Sequence, residues 1–297
     1  MTVTAAGGID WNQAAQTVTA HDDARAVRGE TTVTADRLIA HYRKKAAAPG
    51  APPSPPPTTG APDDTGNNEI YRLEADNNVH IFTQTDQAWG DHAVYDIDQA
   101  VMVLTGAHMK LTTPQDVLTA RDTMEYWSQK HMAVGRGDAT ATSNDGRRIT
   151  ADTLVGYTVD NSAPGAQPAP PPKPKQPDHP TDTLADSGKL QRVEAFGHVK
   201  VETPTEIVTG DRGVYVTDTG LARIVGHVHV TRGENQMSGA AAIVNMKTGV
   251  ATMTQTPGAR VEGLIVPNEQ QSKNTPSATK KPETMPAAPA PTPEKSP

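Results

Sequence analysis

Short stretches in which apolar and polar residues alternate recur along the chain. Val79 and Ile81 flank His80, Met109 and Leu111 flank Lys110, Val199 and Val201 flank Lys200, and Val228 and Val230 flank His229. A period of two puts the apolar members of each stretch on one face of a β-strand and the polar members on the other. Turn residues such as Asn77-Asn78, Asp145-Gly146 and Thr219-Gly220 separate the stretches. β-branched residues dominate and no long stripe of period 3.6 occurs, so the pattern predicts an all-β protein.

The stretches recur. One phrase begins with a small residue, usually followed by Asp, and runs through apolar positions to Tyr; its copies start at Ala35, Gly90, Ala120, Ala151 and Gly210. A copy without tyrosine starts at Gly239. Gly90 and Ala120 are 30 residues apart, Ala120 and Ala151 are 31 apart, and Gly210 and Gly239 are 29 apart. The two wider gaps, 55 and 59 residues, each contain a proline-rich segment, and removing 23 and 27 residues leaves 32 in both. A second phrase falls between copies of the first, at Asn77, Gly106, Gly197 and Gly226, with weaker copies at Asp22 and Gly137. Units of about 30 residues with two strands cannot bury an apolar face alone, so stacking into an elongated two-sheet roll is expected. The repeated Asp (Asp36, Asp91, Asp152, Asp211) is expected to be a turn residue that hydrogen-bonds its own backbone.

Composition marks what does not fold with the repeats. Of 26 prolines, seven lie in 46–68, eight in 161–187 and eight in 267–297, in runs such as PGAPPSPPP and PAPPPKPKQP. These segments read as extended, solvated linkers and a tail, and the linkers are expected at a strand-connecting rim. The expected organisation is one β-domain over 1–266, interrupted at 46–68 and 161–187, and a disordered tail over 267–297. The net charge of −7 with both signs interspersed leaves no basic stripe for nucleic acid. There is no cysteine, which removes disulfides and thiolate chemistry. No apolar run reaches 18 residues. Met1 runs directly into the strand-like Thr2 to Ala5, so an export leader is expected to have been removed or to lie upstream of a misplaced start.

The phrases TVTADRLIAHY (32–42), RRITADTLVGY (147–157) and IVTGDRGVYV (207–216) resemble the OstA-like repeat. So do the glycine-led strands GAHMKL (106–111), GHVKV (197–201) and GHVHV (226–230), and residues 3–42 are similar to the start of LptA-type proteins. That repeat is shared by LptA, LptC and the N-terminal domain of LptD. The resemblance implies an elongated β-jellyroll, or β-taco, in a Gram-negative periplasm. It further implies head-to-tail stacking into a bridge with LptC-like and LptD-like partners and lipopolysaccharide acyl chains in the groove. With no anchor or large barrel in the chain, the LptA type is expected.

An acyl chain needs an apolar trough, since each methylene kept from water gains about 0.8 kcal/mol. The candidate lipid-binding residues are Val79, Ile81, Met109, Leu111, Leu118, Met124, Val199, Val201, Val214, Val228 and Val230. The same residues would serve a filled core, so an envelope scaffold with a closed interior is the alternative. Residues 3–11 and 237–266 are the expected docking edges. His227 and His229 at i, i+2 permit a metal but lack a carboxylate or cysteine partner at ligand spacing. No Gly-x-Ser-x-Gly elbow or phosphate-binding loop occurs, and a β-helical carbohydrate-active enzyme would need an acid/base pair in one groove. No catalytic residue, metal or cofactor is expected. Trp11, Trp89 and Trp127 are expected to cover the ends or rims.

Overall fold

The structure, a computed structural model, describes residues 2–44, 68–159, 189–255 and 260–266. The proline-rich segments lie outside the described residues apart from Asn68, as does the tail from 267 on. Residues Met1–Leu264 form one compact unit. A second unit spans Ile265–Pro297, and only its first two residues are described.

Eighteen strands are present among the described residues, and every pairing between them is antiparallel. β1 (Thr2–Thr4) and β2 (Gly8–Asn12) both pair with β3 (Thr17–Arg28). β4 (Thr31–Lys44), β5 (Asn68–Phe82) and β6 (Gln87–Asp96) follow as successive neighbours. The next two passes of the chain are each broken in the middle, giving β7 (Val101–Thr105) with β8 (Met109–Thr112) and β9 (Asp116–Ala120) with β10 (Thr123–Trp127). β11 (Met132–Ser143), β12 (Arg148–Val159), β13 (Lys189–Glu202), β14 (Ile207–Val216), β15 (Leu221–Arg232) and β16 (Asn235–Asn245) are continuous again. β17 (Val250–Thr254) and β18 (Glu262–Leu264) both pair with β16.

One device bends this meander into two layers. Midway along β3, β5, β11, β13 and β15, two consecutive residues have positive φ: Asp22-Asp23, Asn77-Asn78, Gly137-Asp138, Gly197-His198 and Gly226-His227. Glycine, asparagine and aspartate tolerate this left-handed conformation best, which is why the second phrase opens with them. The ladder slips at each corner, as between Phe196 and Val199, and resumes beyond it. The β7–β8 break at Gly106 (φ 153°) is the sixth corner.

Each long strand thereby contributes one half to each layer. The first layer runs without a gap from β2 through the outer halves of the long strands, β7 and β10, to β17. The second runs from β1 through the other halves, β8 and β9, to β18. The corners form the seam, and the hairpin turns form two rims opposite it. Both proline-rich segments replace hairpin turns on the rim of the first layer, between the paired residues Lys44 and Asn68 and between Val159 and Lys189.

The arrangement is an internal duplication, in which β11 to β16 repeat β3 to β10. The ladder slips beside both linkers, at His41/Tyr42 and at Tyr157/Thr158. In each case a carbonyl of the following strand, that of Tyr71 or Gln191, accepts a hydrogen bond from the next turn, from Ile97 N (2.9 Å) or Thr217 N (3.0 Å).

Candidate lipid-binding interior

Cross-strand register decides which side chains share a face. In the second layer it aligns Val3, Ala26, Val33, Ile81, Ala88, Leu111 and Leu118, and then Ala141, Ile149, Val201, Val208, Val230 and Met237. An equivalent row in the first layer runs Ala20, Leu38, Ala75, Ala93, Leu104 and Met124. The two rows face each other across one apolar cluster. Val79, Ile81, Met109, Met124, Val199, Val201, Val228 and Val230 are all buried in it, with Leu111 and Leu118 packed against it.

Val214 is the exception, 39% exposed on the outer face. Val208 and Gly210 point inward, but the ladder slips between Thr209 and Arg212, so Gly213 and Tyr215 take the inward positions beyond it. A strict period of two carried through the corner assigns Val214 to the wrong side.

The interior is not filled evenly. At the β1–β7 end a cavity of about 140 Å³ lies between the layers. Val3, Ala26, Val33 and Ile81 line it from one side and Val18, Ala20, Leu38, Ala40, Leu73, Ala75, Ala93, Tyr95 and Met102 from the other. Of the residues singled out from sequence, only Ile81 is among them. The signal for the rest was present in the alternation of Leu38 with Ala40 and Leu73 with Ala75.

The duplication explains why the space opens at this end. Where the second copy begins, the preceding strands cover it, Leu118 of β9 packing over Ala141 and Met124 of β10 over Gly135. The corresponding pairs at the start of the chain are Val3 on Ala26 and Ile9 on Ala20, and Ile9 is 50% exposed. Trp11, paired with Val18 on the same inner face, is 54% exposed, and its indole N–H donates to the Tyr42 hydroxyl at 2.6 Å. The inner face of β2 therefore meets solvent where a further layer of side chains would fit.

A polar lip bounds the apolar interior along the second rim. Three turns there repeat one geometry that the sequence announced as TQTD, TPQD and TPTE. Thr83 N donates to the Asp86 carbonyl (2.9 Å), and the N–H of Asp86 donates to Thr83 Oγ1 (3.0 Å). Thr113 with Asp116 and Thr203 with Glu206 do the same. Asp86 and Glu206 are buried, and burial pushes the Asp116 carboxyl above the usual carboxylate range. Arg232 Nη2 donates to Glu206 Oε2 (2.6 Å) and to the Gly249 carbonyl (3.0 Å), tying the two rims together at the β16 end.

On the outside, the repeated Asp does not bond its own backbone as expected from sequence. It sits against the corner of the next strand. Asp36 accepts from Asn78 Nδ2 (3.0 Å), Asp91 from the Ala107 N–H (2.8 Å), and Asp152 and Asp211 contact Nδ1 of His198 and His227, each at 2.9 Å. His227 occupies a corner position (φ 45°), so strand alternation does not relate it to His229, which contacts Ser238 Oγ. No group of three metal-ligating side chains converges among the described residues. Trp89 lies in mid-layer rather than at a rim, its ring stacked 4.9 Å from that of His80, which in turn stacks on Phe82 at 4.6 Å. Trp127, close to the turn into β11, lies under Lys130 Nζ at 4.3 Å.

Two antiparallel layers folded along a seam around an apolar interior define a β-jellyroll. The family model described as LptA/(LptD N-terminal domain) LPS transport protein matches the chain twice, over residues 5–132 and 122–250, and the chain belongs to that family. It is a family of transport proteins, not of enzymes. Among solved structures, one similar to this chain is that of LptH, the LptA-homologous periplasmic component of the lipopolysaccharide transport device of Pseudomonas aeruginosa. It is 14% identical with a TM-score of 0.38, and the match covers 51% of this chain and 95% of that one. No curated protein matches the chain.

Proposed function

We propose that this chain is a periplasmic bridge protein that carries lipopolysaccharide from the inner to the outer membrane, with acyl chains held between its two β-layers. The observation that carries the reading is the unfilled apolar cavity between the layers at the β1–β7 end, in a member of an LPS transport family. Apolar walls on both sides suit methylene chains, and the buried candidates from Val79 to Val230 extend the same surface through the roll. Residues 1–266 act as a single OstA-like jellyroll in this reading. Its partners are LptC-like and LptD-like jellyrolls and further copies of itself, joined head to tail. The exposed inner face of β2 and the unpaired outer edges of β17 and β18 support such strand addition.

The test is photocrosslinking to lipopolysaccharide with a probe amino acid at Leu38 or Leu73, at the packed positions Val199 and Val228, and at the outward Lys110 and Lys200. Adducts at Leu38 and Leu73 with none at the lysines are expected. A folded protein without adducts anywhere overturns the reading. It would favour a scaffold with a closed interior, which draws on the complete burial of Val199, Val208, Val228 and Val244.

A further inference from the structure

The outer face of the first layer differs between the two copies. In the first copy His92 Nδ1 lies 2.6 Å from Asp76 on the neighbouring strand, and Val101, in register with Trp127, is buried. Counted from the corners and the phrase glycines, the second copy has Phe196 for Asp76, Arg212 for His92, Leu221 for Val101 and Arg223 for Val103. The carboxylate is gone and two guanidiniums stand on the face. Arg212 lies over the Phe196 ring at 5.5 Å, Arg223 is exposed, and neither forms an ion pair among the described residues. Val214, Arg223 and Ile243 share one cross-strand row, and Val214, Ile243 and the nearby Leu221 are exposed. An apolar strip with two uncompensated cations suits an occupant that is itself apolar and acidic.

The chain carries such a segment beside this face. Residues 178–188 (DHPTDTLADSG) lie outside the described residues and lead directly into β13. They contain Asp178, Asp182, Leu184 and Asp186 and no lysine or arginine. In an extended run the period of two puts these four side chains on one side. The distances match as well. Register through Glu194 and Val214 places Arg223 about 20 Å from Lys189, and the chain from Lys189 back to Asp182 spans up to about 23 Å. Arg212, paired with Phe196, lies about 24 Å from Lys189, within the roughly 36 Å that reaches back to Asp178.

We propose that the outer face of β14 to β16 is a docking surface for residues 178–188 of the same chain, with Asp182 on Arg223, Asp178 on Arg212 and Leu184 over Leu221. The short tether holds the segment at an effective concentration in the millimolar range, about that of other short linkers, so two charge-assisted contacts and one apolar contact are enough. The inference is independent of what the interior carries.

The chain has no cysteine, so Ala185→Cys in the full-length protein takes a single nitroxide, on the side of the segment away from the face. The readout is paramagnetic broadening of methyl resonances. Leu221, Val225 and Ile243 are expected to broaden, while Val94 and Val103 of the first copy stay sharp. The broadening is expected to be lost in Arg212→Glu with Arg223→Glu, both outer-face positions that leave the interior untouched. Adding Asp178→Lys and Asp182→Lys to that variant is expected to restore it. Sharp signals at Leu221 and Ile243 in the parent, or broadening that survives the charge reversal, overturn the proposal. Broadening in a mixture that puts nitroxide and isotope on different molecules moves the occupant to a second copy and overturns it too.

Discussion

Nδ1 of His198 lies 2.9 Å from a carboxylate oxygen of Asp152 on the neighbouring strand, and the pair clamps the corner at which β13 passes from one layer to the other. His227 and Asp211 repeat the clamp at the corner of β15, also at 2.9 Å. The contact ties the two recurring sequence phrases to each other: the Asp of one phrase holds the left-handed residue of the next.

The hydrogen bond that the His198 imidazole donates to the Asp152 carboxylate raises the His198 pKa above the ordinary histidine value. A pKa raised on folding means that the clamp stabilises the fold fully below the unfolded value of about 6.5 and loses this effect as pH rises through the folded value. Titrating the imidazole by NMR should give an elevated pKa that falls back toward the ordinary value in Asp152→Asn. An unshifted His198 in the parent protein would remove the clamp.

The glycine that opens a corner is required twice over. Gly226 has φ +81°, and a Cβ there would lie 2.7 Å from Asp211 Cγ. Gly233, in the hairpin between β15 and β16, has φ +58° but nothing near its missing Cβ. Both substitutions to Ala incur left-handed strain of about 1 kcal/mol, and Gly226→Ala adds a steric clash for a total of about 2–3 kcal/mol. Urea unfolding of the two variants should separate them in that order.

Much of this was legible in the sequence because the period of two is a backbone property. Val79 with Ile81, Val199 with Val201 and Val228 with Val230 all fall on the inner face, with His80, Lys200 and His229 outside. Legibility stops where the backbone breaks period. Val214 reads as inward only if the slip between Thr209 and Arg212 is ignored, and that slip follows from how β13 and β15 bend on either side of it. The Asp of the phrase was misread for a related reason, since its partner stands on another strand and no local spacing reports it. The cavity was hidden for a different reason. The small residues Ala20, Ala75 and Ala93 have counterparts in Gly135, Ala195 and Gly213 of the second copy, where Met124 covers the same row. Which stretch stays open depends on which end of the stack lacks a neighbour.

Packing in the filled part makes its own prediction. Leu104 is almost completely buried, between the layers on β7, whereas Leu221 is exposed on the outer face of β15. Leu104→Ala should cost about 2–5 kcal/mol through lost burial and an uncollapsed void, while Leu221→Ala should stay within about 0.5 kcal/mol of the parent. Equal effects in thermal unfolding would mean that the layers do not pack as described.

Arg232 and Glu206 test whether the rims are tied. The Glu206 side chain is almost fully buried beneath a half-exposed Arg232, and no other basic group contacts it in the described contacts. Arg232→Ala strands that carboxylate, at a cost of about 1–3 kcal/mol, and Glu206→Gln in the same chain should recover much of the loss. A double-mutant cycle with no coupling would show the two residues acting independently.

The β1–β2 end carries the last prediction. Ile9 and Trp11 lie on the inner face of an edge strand yet are half-exposed, in the register positions that Met124 and Tyr126 fill within the chain. If a second copy adds its β17–β18 end to β2, these two side chains pass from water into the continued interior. Ile9→Lys with Trp11→Arg then costs little in the free chain, because both ends stay solvated, but buries two cations on assembly. Sedimentation over a concentration series should show the parent associating and the double variant remaining monomeric at the same concentrations, with unfolding little changed. Association as strong as the parent's would place the contact elsewhere, because no head-to-tail extension of the layers leaves positions 9 and 11 in water.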